Sequence, residues 1–306
     1  MPMPTDKNRD RARQVRSGQN VRMRIVLVAN RRSGSGRTDG DHIAALLTGH
    51  GAEVTTRGLD DLGEPLPATD RLVVAGGDGS IGVAALAARA AGVPLAVLPT
   101  GTANDFATAL GLPGDLERAC SLAADPAART QRREVGEAAG HPFVNAAAAG
   151  LSAVASRLAK PHKAGLGRLA YALGAIRAGL GAPHTPCTVR CDGETVFDGD
   201  AWQVVVAVSR AFGGGANIGG TRPDDDRLDV AVVAAGSRLA LVRHGYRMRR
   251  GLLTSQPDVP HHRGRTIDVD VPAGTQFNVD GDLRRLEPAR FTVAEGGFDV
   301  VVPRPE

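Results

Sequence analysis

Arg71-Leu72-Val73-Val74-Ala75 runs without a break into Gly76-Gly77-Asp78-Gly79-Ser80, and Ile81 to Ala91 then reads as a helix. An apolar run of strand length, a glycine turn and a helix make one strand–turn–helix unit of an α/β fold. Glycines at such a turn let the backbone come close to a ligand, and the first N–H groups of a helix have no partner inside it. In an open α/β sheet, ligands bind at the carboxyl ends of the strands. The turn is therefore a candidate phosphate loop as well as a tight connection. It is not a Walker A loop, because no Gly-Lys-Ser/Thr follows, and it lacks the third glycine of the dinucleotide fingerprint. A bare carboxylate would repel phosphate, so Asp78 is expected to orient the loop by accepting backbone N–H groups, or to touch Mg²⁺. The Ser80 hydroxyl either caps the helix or meets a phosphate oxygen.

The neighbouring stretches repeat the pattern. Pro94 to Leu98 reads as a strand and leads into Pro99-Thr100-Gly101-Thr102-Ala103-Asn104-Asp105-Phe106-Ala107. Adjacent parallel strands would set the two loops side by side on one sheet edge. Thr100 and Thr102 supply hydroxyls, Asn104 either fixes the loop or reaches a ligand, and Asp105 is expected to be a helix-cap acid. Upstream, Arg24 to Ala29 is a buried strand that leads into Asn30-Arg31-Arg32-Ser33-Gly34-Ser35-Gly36, a third polar glycine loop. Thr38 to Thr48 is helical and is stopped by Gly49 to Gly51, and Ala52 to Thr56 is a further strand. Alternating strands and helices predict a mostly parallel sheet with helices on both faces.

Beyond about residue 130 the pattern changes. Short β-like segments at 143–151, 187–191, 195–198, 202–209, 228–234, 266–271 and 276–279 are broken by Gly, Pro and Asp turns. Helical stretches are expected at 166–179 and 238–250. The expected architecture is α/β plus all-β: a three-layer α/β domain followed by an antiparallel β-sandwich, with a cleft between them. The boundaries drawn from the sequence are a basic tail at 1–22, the α/β domain at 23–135, the sandwich at 136–295 and a C-terminal strand at 296–306 returning toward the first domain. The Ala-rich run Ala146–Leu151 is open to two readings, core packing or the lining of an acyl groove.

Of 306 residues, 42% are hydrophobic but only 3% aromatic, so the cores must be built from Ala, Val and Leu. Three cysteines, Cys120, Cys187 and Cys191, are too few for a disulfide framework and are expected to be structural. The first residues lack a secretory h-region and no apolar run reaches the length of a membrane span, so a cytoplasmic protein is expected, with contact at the inner membrane face left open. Net charge is +4, with basic residues clustered in the tail and around Arg243, His244, Arg247, Arg249 and Arg250, continuing to His261, His262, Arg263 and Arg265. Such clusters are either solvated faces or attract anionic lipid headgroups, at about 1 kcal/mol per well-placed residue. With almost no aromatic side chains to stack on bases, neither reads as a specific nucleic-acid site. A homodimer is compatible with the sequence.

Gly76–Ser80 together with Pro99–Ala107 resembles the diacylglycerol kinase catalytic domain, in the bacterial soluble lipid kinase branch that also holds sphingosine kinases. Asn30–Gly36 is similar to that family's first loop, and the resemblance extends from about Arg24 to Val302. It implies ATP in the interdomain cleft, Mg²⁺, and γ-phosphoryl transfer to a lipid hydroxyl at a membrane surface. The nucleotide contacts it implies are Asn30, Arg31, Arg32, Ser33 and Gly34; Thr56, with Thr55 adjacent; Gly76, Gly77, Asp78, Gly79, Ser80, Ile81 and Gly82; and Thr100, Gly101, Thr102 and Asn104. Pro223–Val230 resembles the family's metal turn, which implies Mg²⁺ on the Asp225 side chain and the carbonyls of Arg222 and Arg227. Val279-Asp280-Gly281-Asp282 resembles the Asp-Gly-Glu motif that supplies the catalytic acid; Asp280 and Asp282 are both candidates, and a plain Asp-Gly hairpin turn is the alternative. Departures from the family pattern are Ser80 for Thr, Gly82-Val83 for Asn-Glu, Arg31 for Pro, Gly219-Gly220 for Ala-Pro and Asp226 for Gly. Two other functions remain open: a kinase of a soluble substrate related to NAD kinases, and a catalytically weak ATP- or lipid-binding protein.

Overall fold

Along each central strand of the first domain, successive side chains enter opposite cores, which is why these segments read as unbroken apolar runs. Strands β1 (Arg24–Ala29), β2 (Glu53–Arg57), β3 (Arg71–Gly76) and β4 (Leu95–Pro99) are parallel, in the order β2-β1-β3-β4. Ile25, Leu27 and Val73 pack with Ile43 and Leu47 of α1 (Gly40–Gly49). Val26, Val28, Leu72 and Val74 pack with Ile81, Ala84 and Ala85 of α2 (Asp78–Ala91). Two further helices follow, α3 (Asp105–Ala109) and α4 (Leu116–Ala124), and α4 adds Ala119 and Cys120 to the face of α1. The result is a three-layer α/β domain. The computed structural model describes residues 22–29, 40–159, 184–209, 211–212, 216–217, 225–237, 243–244, 246–247, 250, 252 and 254–304. The expected loop at 30–36, the helix at 166–179, Gly219-Gly220, Arg222 and nearly all of the tail lie outside the described residues, as do eight of the thirteen residues of the expected helix at 238–250.

β5 (Arg129–Arg133) closes this sheet and leads across to the second domain. There β6 (Gly136–Ala138), β7 (His141–Phe143) and β8 (Ala146–Gly150) precede helix α5 (Leu151–Ala159). β9 (Thr185–Cys191), β10 (Glu194–Ala207), β11 (Ala211–Phe212), β12 (Ala216–Asn217), β13 (Leu228–Ala234), β14 (His261–Gly264) and β15 (Thr266–Asp270) follow. β16 (Gln276–Val279), β17 (Asp282–Arg285) and β18 (Arg290–Val293) complete the domain. Apart from the small β11–β12 pair, these strands form one antiparallel network, β17-β16-β8-β10-β9-β15-β18-β6-β7, with β13 beside β10 and β14 beside β13. β10 serves both layers, pairing with β9 through its first half and with β8 and β13 through its second. One cluster joins Val204, Val230 and Phe277 to Val189, Ile267 and Phe291, which makes the arrangement sandwich-like. The last strand, β19 (Phe298–Val302), returns to the first domain, parallel to β4 and antiparallel to β5. The chain thus crosses between the domains twice.

Several elements differ from the sequence-based expectation. Helix α2 starts at Asp78, not Ile81, so the last three residues of the glycine loop are the first helical turn. The expected strand at 143–151 is broken at Val144-Asn145 and ends at Gly150. The segments at 195–198 and 202–209 are one strand, because Gly199 stays in the ladder opposite Cys187. Ala146–Ala149 are all core residues of two packing clusters, which decides the Ala-rich run for packing. Cys187 and Cys191 are free thiols, and burial pushes the Cys187 thiol up to about 11.

Candidate active site

The two glycine loops leave adjacent strands in register, Gly76 opposite Pro99, and touch each other. Thr100 donates its N–H to the Gly76 carbonyl at 3.2 Å. A Cβ on Gly101 would lie 2.5 Å from the Gly77 Cα, so this contact exists only because both residues are glycine. Asn104 sits at φ +52° and fixes the second loop: its Oδ1 accepts the Gly101 N–H at 3.0 Å, and its Nδ2 donates to the carbonyls of Pro99 and Gly101 at 3.1 and 3.0 Å.

Asp78 joins the loops from within. Its carboxylate accepts the N–H groups of Asp105 at 3.1 Å and Phe106 at 2.9 Å, at the start of α3. The cap acid of that helix is therefore Asp78, from the other loop. Asp105, expected in that role, is a buried member of the first turn. Burial raises the Asp78 carboxyl, opposed by the Phe106 N–H and reinforced by the charge of Asp105. The Ser80 hydroxyl is buried and donates to the Gly77 carbonyl at 2.7 Å, so it closes the turn. Ile81 belongs to the core. Gly82 admits the second domain: a Cβ there would meet the Pro142 carbonyl oxygen at 2.7 Å. Gly76, Asp78, Ser80, Ile81, Gly82 and Asn104 thus build the loops, and Gly79 and Thr102 are exposed at their surface with Gly77, Thr100 and Gly101 half-buried beside them. Thr56 lies exposed near the carboxyl end of edge strand β2, as does Thr55. Asn30 to Gly34 lie outside the described residues.

Across the cleft, Asp280 and Gly281 form the two-residue hairpin turn between β16 and β17, with φ of +46° and +95°. The hairpin reading and the catalytic-motif reading of this stretch therefore describe the same turn. Asp280 accepts the N–H groups of Val144 at 2.7 Å, Asn145 at 3.0 Å and Ala146 at 3.1 Å. Burial pushes its carboxyl up to about 8, the charge of Asp78 adding to that and the three donors opposing it. Asp282 points back to the loops. Its Oδ2 is 3.0 Å from the position a Cβ would take on Gly79, and its side chain is 59% exposed beside Arg284. Asn145 spans the gap, donating its side-chain Nδ2 to Asp78 at 3.0 Å while its backbone N–H meets Asp280. Sequence reading passed over Asn145; its signal was a lone polar residue in the apolar run from Phe143 to Gly150.

In the expected metal turn, the acids meet basic side chains. The Asp225 carboxylate is paired with the Arg263 guanidinium, which also lies 3.3 Å from Asp229. Asp229 is fully buried and bonds His261 at 2.6 Å. A divalent ion on Asp225 would compete with Arg263, although Asp225 Oδ1 and Asp229 Oδ2 are buried with no hydrogen-bond partner among the described residues. Among the described residues no group of three or more His, Cys, Asp or Glu side chains could hold a metal. The Arg227 carbonyl lies in the same turn, and Arg222 is outside the described residues. His261 and Arg263, read from sequence as part of a basic patch, instead pair with acids across β13 and β14. Glu134, just past β5, accepts the Asp226 N–H at 2.5 Å and ties this turn to the crossing between domains.

Comparisons with known proteins agree with this geometry. Residues 24–135 match the family described as the diacylglycerol kinase catalytic domain, and residues 145–302 match the YegS C-terminal NAD kinase beta sandwich-like domain. The diacylglycerol kinase of Bacillus subtilis (strain 168) is 28% identical over 246 residues, covering 77% of this chain and 78% of that protein. That of Staphylococcus aureus (strain Newman) is 27% identical over 238 residues, covering 76% and 75%. A solved structure described as a diacylglycerol kinase of Bacillus anthracis (Sterne) shares the fold, with a TM-score of 0.71 at 21% identity over 92% of this chain and 97% of that one. Touching glycine loops, an acid turn set against them and both matched halves lead to one conclusion: the chain belongs to the diacylglycerol kinase catalytic-domain family, with a YegS-type second domain.

Proposed function

We propose that this protein transfers the γ-phosphoryl group of ATP to the hydroxyl of a lipid. The observation that carries the reading is the Asp282 carboxylate standing over Gly79 at the start of α2. The first N–H groups of α2 lack intrahelical partners and carry the positive end of the helix dipole, which favours an anionic phosphate there. The missing Cβ atoms of Gly77 and Gly101 let the two loops touch, and that of Gly79 leaves room for the Asp282 carboxylate beside the helix start. Mg²⁺ arriving with ATP would neutralise the β- and γ-oxygens. In the transfer, the lipid oxygen bonds to the γ-phosphorus, the bond to the ADP oxygen breaks, and Asp282 takes the hydroxyl proton. Asp280 cannot share that task readily, because both of its oxygens are engaged by backbone donors; it holds the turn that presents Asp282.

A lipid acceptor is supported by the curated relatives, which bear the name diacylglycerol kinase. Contact with a membrane is supported by the surface around Arg247 and Arg250, while Arg243 beside them is paired with Asp258. Tyr246 and Leu252, 57% and 43% exposed, stand there, and they are the large exposed hydrophobics among the described residues. Exposed apolar tips among cations suit an anionic bilayer surface. Among the described residues no helix is long and apolar enough to cross a membrane. The second reading, a soluble acceptor, is favoured by the NAD kinase-like description of the second domain.

Asp282→Asn tests the assignment. ATP should still raise the melting temperature, because the loops are untouched. Phosphoryl transfer should fall by roughly 10²- to 10⁴-fold, the usual contribution of a general base. Transfer at the wild-type rate would exclude Asp282 as the base.

A further inference from the structure

Asn145 is 4% exposed and lies between a carboxylate of each domain. Its Nδ2 donates to Asp78 Oδ1 at 3.0 Å, and the same oxygen accepts the Phe106 N–H. Its backbone N–H donates to Asp280 Oδ1 at 3.0 Å. On its other side, the Ser209 hydroxyl donates to Asn145 Oδ1 at 3.3 Å, and the N–H groups of Val208 and Ser209 donate to its carbonyl at 3.0 and 3.3 Å. Every polar group of one residue is therefore used, and the partners come from both domains.

The two acids that Asn145 separates would carry like charge if both were ionised. Like charges held close disfavour each other unless donors lie between them. Asn145 supplies a donor to each. Without Nδ2, the Asp78 carboxylate is anchored only through the N–H groups of Asp105 and Phe106 and loosens together with that first turn of α3, and nothing in this chain of bonds then ties the loop pair to the Asp280 turn. Asp282, two residues beyond Asp280, would lose its fixed place over Gly79.

We infer that Asn145 is a positioning residue for phosphoryl transfer: it couples the glycine loops of the α/β domain to the Asp280–Asp282 turn and so sets where the base stands. This rests on the proposed lipid kinase reaction for its kinetic consequence. The coupling itself rests only on the hydrogen bonds.

Asn145→Ser keeps the backbone N–H to Asp280 and removes the reach to Asp78. Hydrogen exchange of the full-length protein should then quicken at two separated places, residues 105–106 and residues 279–282. In the kinetic arm, kcat should fall by about 10- to 100-fold, the scale of a displacement of about 1 Å. KM for ATP should stay within about threefold, because Asn104 and Asp78 still hold the loops; a larger rise in KM than fall in kcat would place Asn145 in nucleotide binding and overturn the inference. Faster exchange confined to residues 144–146, or unchanged exchange at both places, would also overturn it. Should Asn145→Ser not fold, Ser209→Ala loosens the same side chain and should shift both readouts in the same direction by less; no shift in either would overturn the inference. If the wild-type protein phosphorylates no lipid, the functional reading fails and the exchange arm still decides the coupling.

Discussion

Gly82→Ala separates two forces that act in opposite directions. Gly82 lies inside α2, where alanine is favoured over glycine by about 1 kcal/mol on helix propensity. On that ground alone the variant should be more stable. The structure predicts the reverse sign. The new methyl would lie 2.7 Å from the Pro142 carbonyl oxygen, 2.9 Å from its carbon and 3.3 Å from the Phe143 nitrogen. Heavy atoms attract at about 3.5 Å, so the nearest contact is short by about 0.8 Å. All three atoms are backbone, and Phe143 is fully buried, so none can swing aside. Overpacking of this kind costs about 1–3 kcal/mol. The net effect is a loss of up to about 2 kcal/mol after the propensity gain. The assay is denaturant unfolding, with the midpoint read at unchanged slope. Because Val144 and Asn145 follow directly, a displaced hairpin should also lower kcat. A variant about 1 kcal/mol more stable than wild type, with full activity, would show that the second domain does not approach α2 as described.

Gly101→Ala should separate the two loops, since its Cβ would fall 2.5 Å from the Gly77 Cα and 2.7 Å from Asn104 Oδ1; calorimetric titration should show ATP affinity reduced by about tenfold or more, and unaltered affinity would refute the loop contact. Burial pushes the Asp280 carboxyl up to about 8, so the native state keeps a proton there which the unfolded chain releases between the ordinary carboxylate range and about 8, and the Asp78 carboxyl is raised in the same direction. Native protons held in excess make stability fall as pH rises through that window. Calorimetry at pH 6 in buffers of different ionisation enthalpy should show the wild type releasing more protons on unfolding than Asp280→Asn, by about one, and equal release would contradict the shift.

The strand–turn–helix order of the first domain was legible because its signals are local. Apolar runs such as Leu72–Val74 and the glycines that end them lie within a few residues of each other. The Asp-Gly turn at 280–281 was legible for the same reason. What stayed hidden depends on contacts far apart in sequence. Asp78 caps a helix 27 residues away, so its neighbour by sequence, Asp105, looked like the cap. Arg263 meets Asp225 only because β13 and β14 pair, so the sequence did not show that the acidic turn and the basic stretch pair with each other. Gly82 looked like a missing polar contact; its purpose is visible only when the Pro142 backbone is beside it. The charged strands β5 and β17 escaped notice because Arg129–Arg133 and Asp282–Arg285 are mainly exposed and carry no apolar period.

The central claim is the class of acceptor. Wild-type protein, γ-labelled ATP and Mg²⁺ should be incubated with a total lipid extract in vesicles, with NAD and water-soluble alcohols offered in parallel. The account predicts label in the organic phase, in a phosphomonoester of a lipid alcohol, with Asp282→Asn leaving that phase unlabelled. Label in NADP or another soluble product, or transfer to no acceptor despite ATP binding, would contradict it.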